Sequence, residues 1–161
     1  MIRSVELSDA ESIAGIYNYY VANTDISFEV EPVSKQEMVE RIQDVSSRYP
    51  FLVYENGDGE LLGFCYAHQW KERAAYKYAV ETTVYCSHRH LKMGIGQLLM
   101  QKLIDECRNN GYVAMIACIT GDNRTSIRFH EELGFKRVSY FEKVGFKFGR
   151  FIDVVDYELL L

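Results

Sequence analysis

The chain holds only two prolines, Pro32 and Pro50, and its four cysteines form no C-x-x-C pair. Cys65, Cys86, Cys107 and Cys118 stand singly, which excludes a disulfide or zinc framework and reads as small apolar residues in a reducing compartment. No apolar run approaches the length of a membrane span, and Met1 leads straight into Ile2-Arg3-Ser4-Val5 without a basic leader. The expectation is a cytoplasmic protein that engages no membrane. Positive charge is not in surplus: 18 Lys and Arg stand against 23 Asp and Glu, a net charge of −5, which argues against nucleic acid as the main partner. What is present is ordinary for one globular domain spanning 1–161, with 48% hydrophobic and 25% charged residues. A chain of that size buries roughly 70% of its unfolded surface.

Patterning along the chain predicts the order βααβββαβαββ. Residues 2–6 alternate as a short strand, and Ser8 with Glu11 has capping-box spacing before the stripe Ile13, Ile16, Tyr17, Tyr20. Ser34 with Glu37 repeats the device before Met38, Ile42 and Val45. Strands 51–55 and 60–69 flank the hairpin turn Asn56-Gly57-Asp58-Gly59. Strand 77–86 follows, with a face suited to a core (Tyr78, Val80, Thr82, Val84, Cys86) and a face that carries Glu81 in mid-strand, where glutamate is disfavoured. Helix 94–109 presents Ile95, Leu98, Leu99, Leu103 and Cys107, and Gly111 is placed to stop it. A buried strand over 112–119, a helix over 124–132 capped by Asn123 and ended by Gly134, and strands 135–144 and 150–161 joined across residues 145–149 complete the chain. This order implies an α/β fold with a mixed, mostly antiparallel central sheet and helices on both faces.

The stretch from Glu81 to Leu99 is the most informative. A strand, a basic turn (His88-Arg89-His90), the pair Gly94-Ile95-Gly96 and then a helix aim backbone N–H groups and the positive helix end at one point, which suits a phosphate. A nicotinamide dinucleotide site would need a third glycine where Leu99 stands, and a tight turn with no ligand is the plain alternative. His88 and His90 form an H-x-H pair with no third ligand in reach, so no metal is expected. Lys71, Arg73 and Tyr76 precede the Glu81 strand. Two cations beside aromatics suit a small anionic ligand, and a charged surface loop is the other reading.

Together with Asn123-x-x-Ser126 and Leu133-Gly134-Phe135, this arrangement resembles the Gcn5-related N-acetyltransferase (GNAT) superfamily across nearly the whole chain. Five segments bring it near the phosphinothricin acetyltransferases: Ile26-Ser27-Phe28 with Glu31-Pro32, Trp70 to Tyr76, Val80 to Tyr85, Ser87 to His90, and Val144 to Lys147 before Asp153-Val154. The resemblance implies an acetyl-CoA-dependent N-acetyltransferase, a homodimer, acting on the α-amine of a small acidic amino-acid analogue of the phosphinothricin, methionine sulfoximine or methionine sulfone type. It implies acetyl-CoA held by Val84, Tyr85, Cys86, Lys92, Met93, Gly94, Ile95, Gly96, Gln97, Asn123 and Ser126, and the acceptor held by Phe28, Lys71, Arg73, Tyr76 and Thr83. Glu81 becomes the general base, otherwise a solvated strand residue. His130 becomes the acid for the departing thiolate, otherwise a hydrogen-bonded helix histidine. One departure stands out: Leu91 occupies the position where the superfamily has Gln or Arg, and Lys92 is the neighbouring charge that can replace it. Two alternatives are acetylation of a protein N-terminus or another amine, and a non-catalytic coenzyme A-binding module. The former would lack the free carboxylate that Lys71 and Arg73 would clamp.

Overall fold

A strand covered on both faces needs apolar residues at successive positions, and Phe51-Leu52-Val53 supplies them: Leu52 joins one buried cluster, Phe51 and Val53 the other. In the computed structural model, which describes residues 1–161, the elements are β1 (Ile2–Ser4), α1 (Ala10–Asn23), α2 (Lys35–Ser46), β2 (Phe51–Glu55), β3 (Leu61–Gln69), β4 (Ala79–Cys86), α3 (Ile95–Asn109), β5 (Ala114–Thr120), α4 (Arg124–Glu132), β6 (Lys136–Lys147) and β7 (Arg150–Leu160). One seven-stranded sheet runs β1-β2-β3-β4-β5-β7-β6, and every neighbouring pair is antiparallel except β4 with β5. Helices α1 and α2 cover one face around Ile13, Ile42 and Phe64; α3 covers the other around Leu99, Met100 and Leu103, with α4 residues Ile127 and Phe129 packed beside it.

Four expectations need correction. The capping box near the first helix is built from Glu6 and Asp9 around a 3₁₀ turn at Leu7–Asp9, and α1 begins only at Ala10. Asp9 is held there by both terminal guanidinium nitrogens of Arg3 at 2.8 Å, a charge-assisted fork that outweighs the Ser8/Glu11 spacing. Leu98 is 53% exposed, and the core stripe of α3 turns through Met100 and Ile104 instead. Tyr78 lies outside β4 and is exposed. Finally, the join between β6 and β7 is only Phe148-Gly149, both at positive φ (51° and 73°), which is what a two-residue turn matched to strand twist demands.

Candidate functional site

The parallel pairing of β4 with β5 lasts three residues, Ala79–Glu81 against Ala114–Ile116. Beyond it β4 follows β3 and β5 follows β7, so the sheet opens into a V. Backbone direction alternates along a strand. Ser87 N–H donates to Leu62 O, so odd residues face β3, and Tyr78 O accepts from Val113 N–H, so even residues face β5. Val84 therefore points its N–H into the opening. Cys86 O, on the same side, accepts from Tyr20 Oη at 2.6 Å.

A cavity of about 470 Å³ fills the V and passes from one face of the sheet to the other. On the α1/α2 face it is walled by Tyr17, Phe28, Glu29, Glu81, Thr83 and Tyr85; on the α4 face by Val84, Thr120, Asn123, Ser126 and His130. Asn123 caps α4 by accepting from Ser126 N–H at 3.1 Å, so the first turn of that helix is fixed at the cavity wall. Thr120 Oγ1 is the one buried side-chain polar atom with no hydrogen-bond partner.

At the open end of the V, α3 begins. Lys92 and Gly94 both have positive φ (62° and 76°), and the first helical bond is Leu98 N–H to Gly94 O at 3.1 Å. The N–H groups of Ile95, Gly96 and Gln97 are thus the helix's unspent donors. A Cβ at Gly96 would meet Cys86 Sγ at 3.5 Å, an ordinary contact, so the protein's own packing does not demand glycine there. Leu91, Lys92 and Met93 are exposed.

Glu81 sits opposite His68 of β3. Burial, with the Asp156 carboxylate beyond it, pushes the Glu81 carboxyl up to about 7. His130 is 4% exposed, and its Nδ1 lies 2.8 Å from Ser126 O. A carbonyl only accepts, so the proton rests on Nδ1 and the neutral ring offers Nε2 as an acceptor. Burial lowers its pKa and favours that neutral form.

The segment 24–31 is pinned from several sides. Tyr17 Oη donates to Glu29 and lies 2.7 Å from Ser27 Oγ; Arg41 forks onto Glu29 at 2.9 and 2.6 Å. The Arg41 guanidinium holds Glu29 below the usual carboxylate range. Buried Lys147 donates to Ser27 O at 2.7 Å from β6. Phe28 lies across Gly145, where a Cβ would come within 2.6 Å of the ring.

The structure does not bring every expected residue to the cavity. Lys71, Arg73 and Tyr76 lie outside its wall, on the segment before β4. Lys71 Nζ rests 4.3 Å from the Trp70 ring centroid and 5.3 Å from that of Tyr76, and Arg73 has no ion pair. The cavity wall itself contains no Lys or Arg. His88 stacks on Tyr19 at 3.6 Å between centroids. Tyr17, Glu29 and Thr120 were missed. Tyr17 lies on a stripe that reads as core, and Glu29 directly follows Phe28, the one available signal.

Comparison with known proteins accords with this geometry. Residues 2–155 match the family model described as acetyltransferase (GNAT) domain. The chain is 35% identical to a phosphinothricin N-acetyltransferase of Streptomyces viridochromogenes, covering 95% of this chain and 83% of that protein. It is 34% identical to an L-methionine sulfoximine/L-methionine sulfone acetyltransferase of Salmonella typhimurium, over 99% and 93% of the two. A GNAT superfamily phosphinothricin acetyltransferase from Sinorhizobium meliloti, solved in complex with acetyl-CoA, superposes with a TM-score of 0.97 at 33% identity, over 100% of this chain and 88% of that one.

Proposed function

The chain belongs to the GNAT acetyltransferase family, and from that premise we propose that its acceptor is the α-amine of a small acidic amino-acid analogue of the phosphinothricin, methionine sulfoximine or methionine sulfone type. It is an N-acetyltransferase that uses acetyl-CoA. The observation that carries the reading is the through-sheet cavity, with a raised carboxyl on one face, the capped α4 on the other and the unspent donors of α3 at its open end.

Bound acetyl-CoA supplies an acetyl thioester. In our reading, the Ile95, Gly96 and Gln97 N–H groups and Lys92 hold its pyrophosphate, with Met93 and Gly94 shaping the loop, and Asn123, Ser126, Tyr85 and Cys86 flank the pantetheine arm. Thr120 Oγ1 fits the same assignment, as a buried hydroxyl left for a ligand. Val84 N–H meets the carbonyl oxygen as its charge grows. Glu81 takes the amine proton as the new C–N bond forms and the C–S bond breaks. At pH 7 an α-amine of pKa ~8 costs only ~1.4 kcal/mol to reach its neutral form, so a modest base suffices. His130 protonates the departing sulfur only from its imidazolium form. Glu81 as carboxylate and His130 as imidazolium coexist in a minor fraction near neutrality, so we assign His130 the smaller part.

Phe28 and Thr83 bound the acceptor's end of the cavity. Arg73, which has no intramolecular partner, and Lys71 meet its carboxylate, with Tyr76 beside them. The cation-free wall favours one second reading, an acceptor without a free carboxylate such as a peptide N-terminus. Thiol release from acetyl-CoA, scanned over the three analogues, common amino acids and short peptides, decides. Turnover of an acidic analogue with a KM raised by Arg73→Ala supports the first reading; turnover of peptides alone overturns it.

We also propose a homodimer in the cytoplasm. Tyr140, Phe146 and Phe151 stand 51–63% exposed on one side of the terminal β6–β7 hairpin, an apolar face that a second copy would cover. The cysteines are all free, as suits a reducing compartment.

A further inference from the structure

We propose that His68 is a positioning residue for Glu81 and the exit for its proton: Nε2 of His68 takes the proton that Glu81 has drawn from the amine and releases it to solvent. The inference rests on the assignment of Glu81 as base. The β3–β4 register sets the two residues directly opposite on one face of the sheet, with Nε2 3.8 Å from Oε1, one small rotation from contact. The His68 Nδ1 lies 3.1 Å from Gln69 O, so it carries the ring proton and leaves the Nε2 lone pair aimed at Glu81.

The two side chains differ in what covers them. They are about equally exposed, 30% for Glu81 and 32% for His68, but Glu81 lines the cavity, so its exposure is to the space the substrates would fill, and His68 lies outside it. A proton accepted by Glu81 therefore leaves through His68. In the transfer the Glu81 O–H bond breaks as an N–H bond forms at Nε2, and that N–H then yields its proton to water. No other reactant is needed.

The other groups facing the pair are Tyr66 from β3, Cys118 from β5 and Asp156 from β7. Arg41, which reaches Tyr66 from α2, is engaged by Glu29. None of them supplies a free cation to hold Glu81 ionised. Burial lowers the pKa of His68 while Glu81 is raised, so the proton resides on Glu81 and crosses His68 only in transit.

The test reads the pair with and without turnover. In ¹³C-glutamate-labelled protein without substrates, the Glu81 carboxyl resonance, identified by its loss in Glu81→Gln, is titrated in wild type and His68→Gln. Its midpoint is expected to move by about half a pH unit or more. With the acceptor found above, His68→Ala is expected to lose about 5–10-fold in kcat with both KM values held, and to regain rate in proportion to added imidazole. An unmoved Glu81 midpoint, or a kcat loss that imidazole does not restore, overturns the proposal. Failure of every acidic acceptor leaves the carboxyl titration to decide alone, so the substrate reading and the proton exit fall separately.

Discussion

The two faces of the cavity are built from different material. On the α4 face the groups we assign to the coenzyme are mostly backbone: unspent N–H donors at the start of α3, Val84 N–H, and a cap that fixes the first turn of α4. On the α1/α2 face they are side chains, Tyr17, Phe28, Glu29 and Glu81, held by partners from α2 and β6. A backbone site tolerates side-chain drift and keeps one ligand; a side-chain site changes its ligand with each substitution. On the assignment we propose, the difference would account for relatives at about one-third identity whose names carry different acceptors.

Three changes sharpen that contrast, and a fourth measurement separates stability from chemistry. Glu81→Gln should cost the most, about 10²–10⁴ in kcat with both KM values nearly unchanged, by steady-state thiol release. In wild type the log of kcat/KM should fall as pH drops below about 7, the value to which burial pushes the Glu81 carboxyl; a profile flat through pH 6 would break the assignment. Gly145→Ala should come next. Its Cβ collides with Phe28, and overpacking of this kind costs about 1–3 kcal/mol. The acceptor KM should rise several-fold while the acetyl-CoA KM holds. Gly94→Ala should do the reverse, since a left-handed residue that is not glycine costs about 1–2 kcal/mol and the loss falls on the coenzyme side. Equal effects on both KM values from either glycine would erase the distinction between the faces.

The fourth measurement is smaller. A carboxyl whose folded pKa, about 7, exceeds the unfolded value of 4.5 favours the folded state at low pH, and that contribution is lost as pH rises through 7. Above pH 7, Glu81→Gln should therefore be more stable than wild type by about 1–3 kcal/mol, and below pH 5 the advantage should vanish, as read by urea unfolding. No gain at pH 8 would mean that Glu81 is not held against its own charge.

The helix termini that we propose hold the coenzyme were largely legible in the sequence as structure, because their signals are local. Gly94 and Asn123 act within a few residues of themselves, and the strand–turn–helix order needs no tertiary contact to be seen. The α1/α2 face, where we propose that the acceptor binds, was not, because its parts meet only in three dimensions. Tyr17 shares a helical stripe with core residues yet turns its hydroxyl to Glu29, and Lys147 is buried beneath a segment 120 residues away. Lys71 and Arg73 were read as a clamp from type and neighbourhood alone, and the fold leaves both exposed, outside the cavity wall. Leu98 shows the converse limit, since its spacing fits a stripe whose edge only the packed sheet defines.

The three-residue junction between β4 and β5 divides the sheet into two leaves, one of β1 to β4 and one of β5 to β7. Past that junction, amides such as Val84 N–H face the opening and not a neighbouring strand. In hydrogen–deuterium exchange these central amides should label quickly in the free protein, as edge amides do, and be protected once the coenzyme lies in the gap. The ligand would then act as the missing strand, so that the middle of the sheet is completed only during turnover.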